Sequence, residues 1–426
     1  MANEDLSEIV VSFRSMQAAV QANESKVEIA AAEKAKLLGD PWQQAAIMAR
    51  IGQALRDMEA AETTNAEPGI LVSPHNPLAA RMQSSLAEYG NGTPITSGGK
   101  ELKFDSVTDS LGWAYSWLVE WDDNHHPIVR PKDTTAGKLD PHVRIAVLGD
   151  WGTGLYGAKP SAQSIAGDKN PFTMLLHLGD VYYAGTKQEE KQRFLDLWPS
   201  RPEAFSRALN SNHEMYSGGR GYFEDTIKKF DQASSYFVLR NKDWTLIGLD
   251  TAWTDFDLDE EQVRWLDVVV GESVGTRIIL FSHHQLFSQL DSQGTKIAGK
   301  VGKLLAEKKI SMWYWGHEHR CVLYDPHPQY GLIARCIGHG GMPQRRGDEK
   351  NAPVELQKGD AIWRRLPEKK PGIPSALVLD GRNAFIKGKE DTYSPHGYIT
   401  LEFNGANLHE SVFLPDGTAV KETDLA

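Results

Sequence analysis

The chain has little that would tie it to a membrane, a disulfide framework or a nucleic acid. Two cysteines in 426 residues are too few for a disulfide scaffold. Cys321 and Cys336 read as buried thiols, with a pairing across a hairpin as the alternative. No uninterrupted run reaches the roughly twenty apolar residues that a membrane-spanning helix needs. The opening MANEDLSEIVVSF is acidic where a secretory leader is positive, and no long apolar core follows it. A cytoplasmic location is therefore expected. Positive charge is also in deficit: the formal net charge is −11, against the basic face that binding a nucleic-acid duplex requires. With 40% hydrophobic residues, the chain can bury a large core, as one large domain with an appendage.

The appendage comes first. Leu6, Ile9, Val10, Phe13 and Met16 fall at helical spacing. After Gly39, Asp40 can cap a second helix with Pro41 at its first position, and Met48, Ile51, Leu55 and Met58 form its buried stripe. Residues 1–63 thus read as a helical hairpin, which packs on the main domain or on a second subunit of a homo-oligomer. Pro68-Gly69, Pro74, Asn91-Gly92 and Gly98-Gly99 mark 64–140 as a loop-rich connector, with an aromatic run at 110–121. From about residue 141 to 416 the pattern changes to strands alternating with helices, an α/β arrangement. Residues 398–414 read as two strands around an Asn404-Gly405 turn, and 417–426 as a C-terminal tail.

Within the α/β region, apolar strands stop repeatedly at residues able to bind metal. VRIAVL ends in Gly149-Asp150, the Leu175 strand in Gly179-Asp180, WTLIGL in Asp250 and RIILF in Ser282-His283-His284. Ala208-Leu209 runs to Asn212-His213-Glu214, and the strand from Ile310 to Gly316-His317-Glu318-His319. The crevice beyond such strand ends is where open α/β sheets bind ligands. Asp150, Asp180, Asn212, His283, His317 and His319 supply oxygen and imidazole donors, and Tyr183 follows Asp180 closely enough to add a phenol. This donor set suits Fe, Mn, Zn or Mg rather than Cu(I) or iron–sulfur clusters. It exceeds the four ligands of a structural zinc. Two ions about 3.5–4 Å apart sharing a carboxylate would use it fully, acidifying a water and clamping a phosphate.

Taken in order, GDWG (149–152), GDVYY (179–183), NHE (212–214), SHHQLFS (282–288) and GHEHR (316–320) resemble the motif blocks of the calcineurin-like metallophosphoesterases. The resemblance is to their purple-acid-phosphatase-like branch and covers roughly Val143 to Gly341. It implies a four-layer α+β sandwich, two packed β-sheets flanked by helices, here with an N-terminal helical extension. It also implies a first metal site of Asp150, Asp180, Tyr183 and His319, and a second of Asp180, Asn212, His283 and His317, with Asp180 bridging. The ions implied are iron paired with zinc, manganese or a second iron. His213 would contact the phosphate-ester substrate and help protonate the leaving oxygen. His284 is either a helper to catalysis or a packing histidine.

Departures from the family pattern narrow the reading. Gly152 stands where most of the wider family carries a histidine, which lowers the case for its cyclic-nucleotide phosphodiesterases. Ser211 replaces a glycine before Asn212, and would be strained if that position requires a positive φ. The β-sandwich front domain of the plant enzymes looks absent. His177 reads as a core histidine, and His339 lies in a glycine-rich loop bordering the site. An insertion at 344–371 carries Arg345-Arg346 and Arg364-Arg365, either a solvated loop or a second anion contact. The expected activity is hydrolysis of phosphate monoesters. A phosphodiesterase with the same centre is the alternative, and a metal-poor scaffold the alternative of another class.

Tyr183 generates the first test. A phenolate bound to ferric iron absorbs in the visible through charge transfer, and ligation lowers a tyrosine far below its usual pKa of about 10. Iron-loaded protein is expected to be coloured, and Tyr183→Phe to bleach it while most iron stays bound. Absorbance and metal content are read on one sample; colourless wild type full of ferric iron would remove the assignment.

Overall fold

The computed structural model describes the backbone of 95–97 and 100–102, and residues 125–182 and 184–426. The helical hairpin expected over 1–63, the aromatic run at 110–121 and Tyr183 lie outside the described residues. The chain divides into two compact units, one of residues 1–125, 182–186 and 216–218 and the other of the remainder. In the first unit, β1 (Ile95–Ser97) pairs antiparallel with β2 (Lys100–Leu102), and the Ser217 hydroxyl donates to the Gly185 carbonyl at 3.1 Å.

The second unit begins at His126, so the lead-in to residue 140 folds with it and supplies β3 (Gly137–Lys138). Six strands make the smaller sheet, in the order β18-β17-β16-β4-β5-β6. They are β4 (His142–Leu148), β5 (Met174–His177), β6 (Phe205–Ala208), β16 (Tyr398–Asn404), β17 (Asn407–Phe413) and β18 (Ala419–Asp424). The larger sheet runs β13-β14-β15-β11-β12-β10-β9-β8-β7-β3. Its centre is β7 (Phe237–Arg240), β8 (Trp244–Gly248), β9 (Arg277–Ser282), β10 (Met312–Trp315), β11 (Cys321–Tyr324) and β12 (Ile333–Ile337), and its far edge β13 (Val354–Lys358), β14 (Ala361–Leu366) and β15 (Ala376–Gly381). The segment 417–426 is therefore not a tail. Val412, Glu410 and their neighbours on β17 pair with β18, and Val420 is buried.

Two-residue periodicity sorts these strands into layers. Ile279 and Phe281 of β9 and Met312 and Tyr314 of β10 join Val143, Ile145 and Val147 of β4 in one core between the sheets. The alternate residues Ile278, Leu280, Trp313 and Trp315 pack outward against Trp265, Leu266, Val301 and Leu305. These come from helices α2 (Glu260–Glu272) and α3 (Thr295–Ala306). On the other side Ala146 and Leu148 meet Ala162 and Ile165 of α1 (Ala158–Gly167), with Phe194, Phe223 and Ile227. The result is helix, sheet, sheet, helix, the four-layer sandwich expected. Pro160 and the flanking glycines hide α1 from a reading by periodicity, yet its proline sits in the first turn, where no N–H is needed. Among the described residues no helix is long and apolar enough to cross a membrane.

The apolar core between the sheets contains one ionic tie. Arg335 on β12 donates from Nε to Glu410 Oε1 on β17 at 2.9 Å, and the Tyr314 hydroxyl donates to Glu410 Oε2 at 2.8 Å. All three are buried. Glu410→Ala would strand a buried guanidinium and is expected to cost ~3–5 kcal/mol, measured by urea unfolding. A loss of only ~0–1 kcal/mol, the range of a surface pair, would show that solvent reaches the pair.

Candidate metal centre

The site is assembled at the strand ends of both sheets, all within the second unit. Asp150 follows β4, Asp180 follows β5, and Asn212 follows β6. His283 follows β9, and His317 and His319 follow β10. These six, with His213 and His284, are buried. Four of them stand on left-handed backbone, with φ of 56° at Asp150, 76° at Asp180, 70° at His317 and 51° at His319. Such conformations cost free energy in non-glycine residues and persist where surroundings over-determine them, commonly at functional sites.

The expected ligands converge. Asp180 presents its two oxygens to different neighbours: Oδ1 is 3.2 Å from His283 Nε2, and Oδ2 is 3.5 Å from His319 Nε2. His319 Nε2 is also 3.5 Å from Asp150 Oδ1. His283 Nε2 lies 3.0 Å from Asn212 Oδ1 and 3.2 Å from His317 Nδ1. Two groups have the spacing of metal ligands: Asp150, Asp180 and His319, and His283, His284 and His317. His283 Nδ1 bonds the Leu178 carbonyl at 2.9 Å, which fixes a ring proton there and leaves Nε2 as the donor to a metal.

Electrostatics fit cations in this position. Burial and the adjacent Asp180 carboxylate push Asp150 well above the usual carboxylate range. Burial acts on Asp180 as well, but His283, His213 and His319 outweigh it and hold Asp180 well below that range. Asp150 Oδ1 is buried with no hydrogen-bond partner among the described residues. A buried, acceptor-rich oxygen of this kind is what a metal ion satisfies. Burial lowers His283, and burial together with His283 lowers His284 further, which favours the uncharged imidazole that a metal ligand needs.

Ser211 carries no strain, because it is not among the positive-φ residues. Its hydroxyl instead bonds Asp180 Oδ1 at 2.6 Å and the Glu214 carboxyl, and it accepts the His213 N–H at 3.0 Å. Glu214 in turn accepts the Asp180 N–H at 3.2 Å. This latch from Ser211 and Glu214 to Asp180 was missed in the sequence, where the one available signal was the serine in place of glycine. Gly152 has φ +70°, and a Cβ there would lie 3.2 Å from the Met342 backbone. A histidine at this position would be both strained and crowded.

Other candidates fall away from the centre. Asp250 builds a turn, accepting from the Ala252 and Trp253 N–H groups at 3.1 and 3.0 Å and from Asn210. His177 packs on Phe194 with ring centroids 4.3 Å apart, and burial lowers it to about 3, the core histidine expected. His339 is also buried, lowered to about 3, and lacks hydrogen-bond partners among the described residues. Three of the insertion arginines are committed elsewhere: Arg346 and Arg364 pair with Asp380, and Arg365 with Asp325 and Glu355. Cys321 and Cys336 are free thiols.

Residues 143–321 match the family model described as calcineurin-like phosphoesterase. That stretch is thus similar to the calcineurin-like phosphoesterases. No curated protein matches the chain. Similar solved structures include a purple acid phosphatase from yellow lupin seeds, 14% identical, TM-score 0.49, covering 69% of this chain and 55% of its own. The chain thus spans about half the length of the lupin protein. Another is GAP50, the anchor in the inner membrane complex of Plasmodium, 14% identical, TM-score 0.43, covering 67% of this chain and 89% of its own. PhoD is 12% identical, TM-score 0.44, covering 68% and 70%.

The latch predicts a measurable effect. Ser211→Gly restores the family residue but removes the bond to Asp180, and is expected to weaken zinc binding by ~10–100-fold, the usual effect of losing a group that orients a ligand. Calorimetric zinc titration against wild type reads this; equal affinities would reduce Ser211 to packing.

Proposed function

We propose that the second unit is a two-metal phosphohydrolase that cleaves phosphate monoesters. The observation that carries the reading is Asp180, whose two oxygens face separate donor sets. Asp150, Asp180 and His319 would hold one ion, and Asp180, Asn212, His283 and His317 the other. The donor set suits iron paired with zinc, manganese or a second iron. When bound, the ions supply positive charge against the phosphate and a water acidic enough to act near neutral pH.

The chain's own residues do the rest. Ser211 and Glu214 hold Asp180 between the two donor sets. The Leu178 carbonyl orients His283. His213, adjacent to Asn212, hands a proton to the departing alkoxide, a task suited to an imidazole near neutral pH. Monoesters are favoured over diesters by the pairing of Gly152 with Tyr183, the pattern of the purple-phosphatase branch. Arg346, Arg364 and Arg365, held in ion pairs, give no support to recognition of a second phosphate by that loop. A metal-poor scaffold is disfavoured by the complete donor set. Two buried free thiols support a reducing, cytoplasmic setting, and the N-terminal helices are proposed as the contact for a second copy.

Two variants test the assignment. Asp180→Ala is expected to lose metal and nearly all turnover with the fold retained; full activity would remove the two-metal reading. His213→Ala is expected to keep its metal while kcat falls ~10²–10⁴-fold, and loss of metal would make it a ligand instead. A panel of mono- and diesters at defined metal content decides the substrate class: faster diester cleavage would overturn the monoester reading.

A further inference from the structure

The two-metal reading leaves one buried imidazole beside the centre without a task. His284 follows His283, and its Nδ1 lies 3.0 Å from both the hydroxyl and the carbonyl oxygen of Thr251. A carbonyl can only accept, so Nδ1 carries the ring proton and Nε2 the lone pair. Nε2 is buried and has no hydrogen-bond partner among the described residues. A buried polar atom left in that state is costly, and a ligand would remove the cost.

Its surroundings aim it at the centre. A ring nitrogen of each of His283, His284 and His317 lies within 4.8 Å of the other two. Three nitrogens each about 2.0–2.1 Å from one ion stand roughly 3–4 Å apart, so small shifts bring all three to one point. The Phe256 ring caps the group, with its centroid 3.8 Å from that of His284 and 4.8 Å from that of His317. Phe256 has φ 56° and its neighbour Asp255 φ 29°. Two consecutive non-glycine residues in left-handed backbone are strained, and the strained loop holds an aromatic ring against two imidazoles.

We propose that His284 is a third imidazole ligand at the second metal position, beside His283, His317, Asn212 and Asp180. The inference rests on the two-metal reading and adds to it a nitrogen-rich second site. Three imidazoles favour borderline ions such as zinc, cobalt or ferrous iron over magnesium or calcium. Thr251 is then a positioning residue, fixing the tautomer that leaves Nε2 free.

Cobalt(II) alone is the probe. Each coordinating imidazole keeps one N–H, and the paramagnetic ion shifts its proton resonance out of the normal range. Wild type is expected to take up two cobalt ions per chain and to show four shifted imidazole N–H signals, from His283, His284, His317 and His319. His284→Phe keeps the ring contact with Phe256 but not the nitrogen. It should lose one signal and weaken the second cobalt ion beyond the ~10–100-fold of losing a group that only orients a ligand. Three signals in wild type, or an unchanged set and affinity in the variant, would overturn the assignment. The wild-type count carries the test even if the variant does not fold. Failure of wild type to bind two cobalt ions would instead overturn the two-metal reading, and this inference with it.

Discussion

The centre depends on the enforced closeness of Asp150 and Asp180. Two carboxylates buried together repel each other, and burial alone disfavours ionisation of either. The shifts of the two run in opposite directions, Asp150 held well above and Asp180 well below the usual range. Three imidazoles give partial compensation, and left-handed backbone at both aspartates prevents them from turning away. The strain is borne by the fold. Parallel pairing fixes β4 beside β5 and β5 beside β6, so the loops after these strands open at one edge.

The other sheet is tied to that edge by backbone as well as by side chains. The His317 N–H donates to Asp150 Oδ2 at 2.9 Å, so a residue after β10 anchors a residue after β4. Gly316 and Gly338 close around the same oxygen: a Cβ would stand 2.5 Å from it at Gly316 and 2.6 Å at Gly338. Any larger residue would push the carboxylate out of register with Asp180. The glycines therefore act through the space they leave, and the inner core between the sheets keeps the two rims at the distance the site needs.

Much of this was legible in the sequence because the chemistry sits where strands stop. An apolar run followed by Gly-Asp, by Ser-His-His or by Gly-His-Glu-His states both a strand and a strand-end donor, and Asp150, Asp180, His283, His317 and His319 all follow that rule. Alternation within RIILF and MWYW likewise gives the two faces that the structure separates into inner and outer cores. Less visible were pairings set by tertiary neighbours. Nothing local tells that Glu214 accepts from Asp180, thirty-four positions earlier, or that Arg346 and Arg364 share Asp380. The strand β18 was hidden by its composition, AVKETD, whose exposed charged residues suit an edge strand and read equally as a tail. Asp250 stops a strand as the candidate ligands do, yet its oxygens are spent on backbone N–H groups and on Asn210.

The exchange at Ser211 shows how a departure from a family pattern can be absorbed. A glycine before Asn212 would offer conformational freedom, but the backbone here does not use it. The serine hydroxyl instead enters a buried acidic cluster, where it donates to one carboxylate and accepts an N–H from the loop. Burial and the neighbouring Glu190 and Asp180 push Glu214 well above the usual carboxylate range, which disfavours a third charge beside the two aspartates. Its carboxyl accepts the Asp180 backbone N–H while the Asp180 side-chain oxygens face the histidines. The acidic second rank thus shapes the first without entering it.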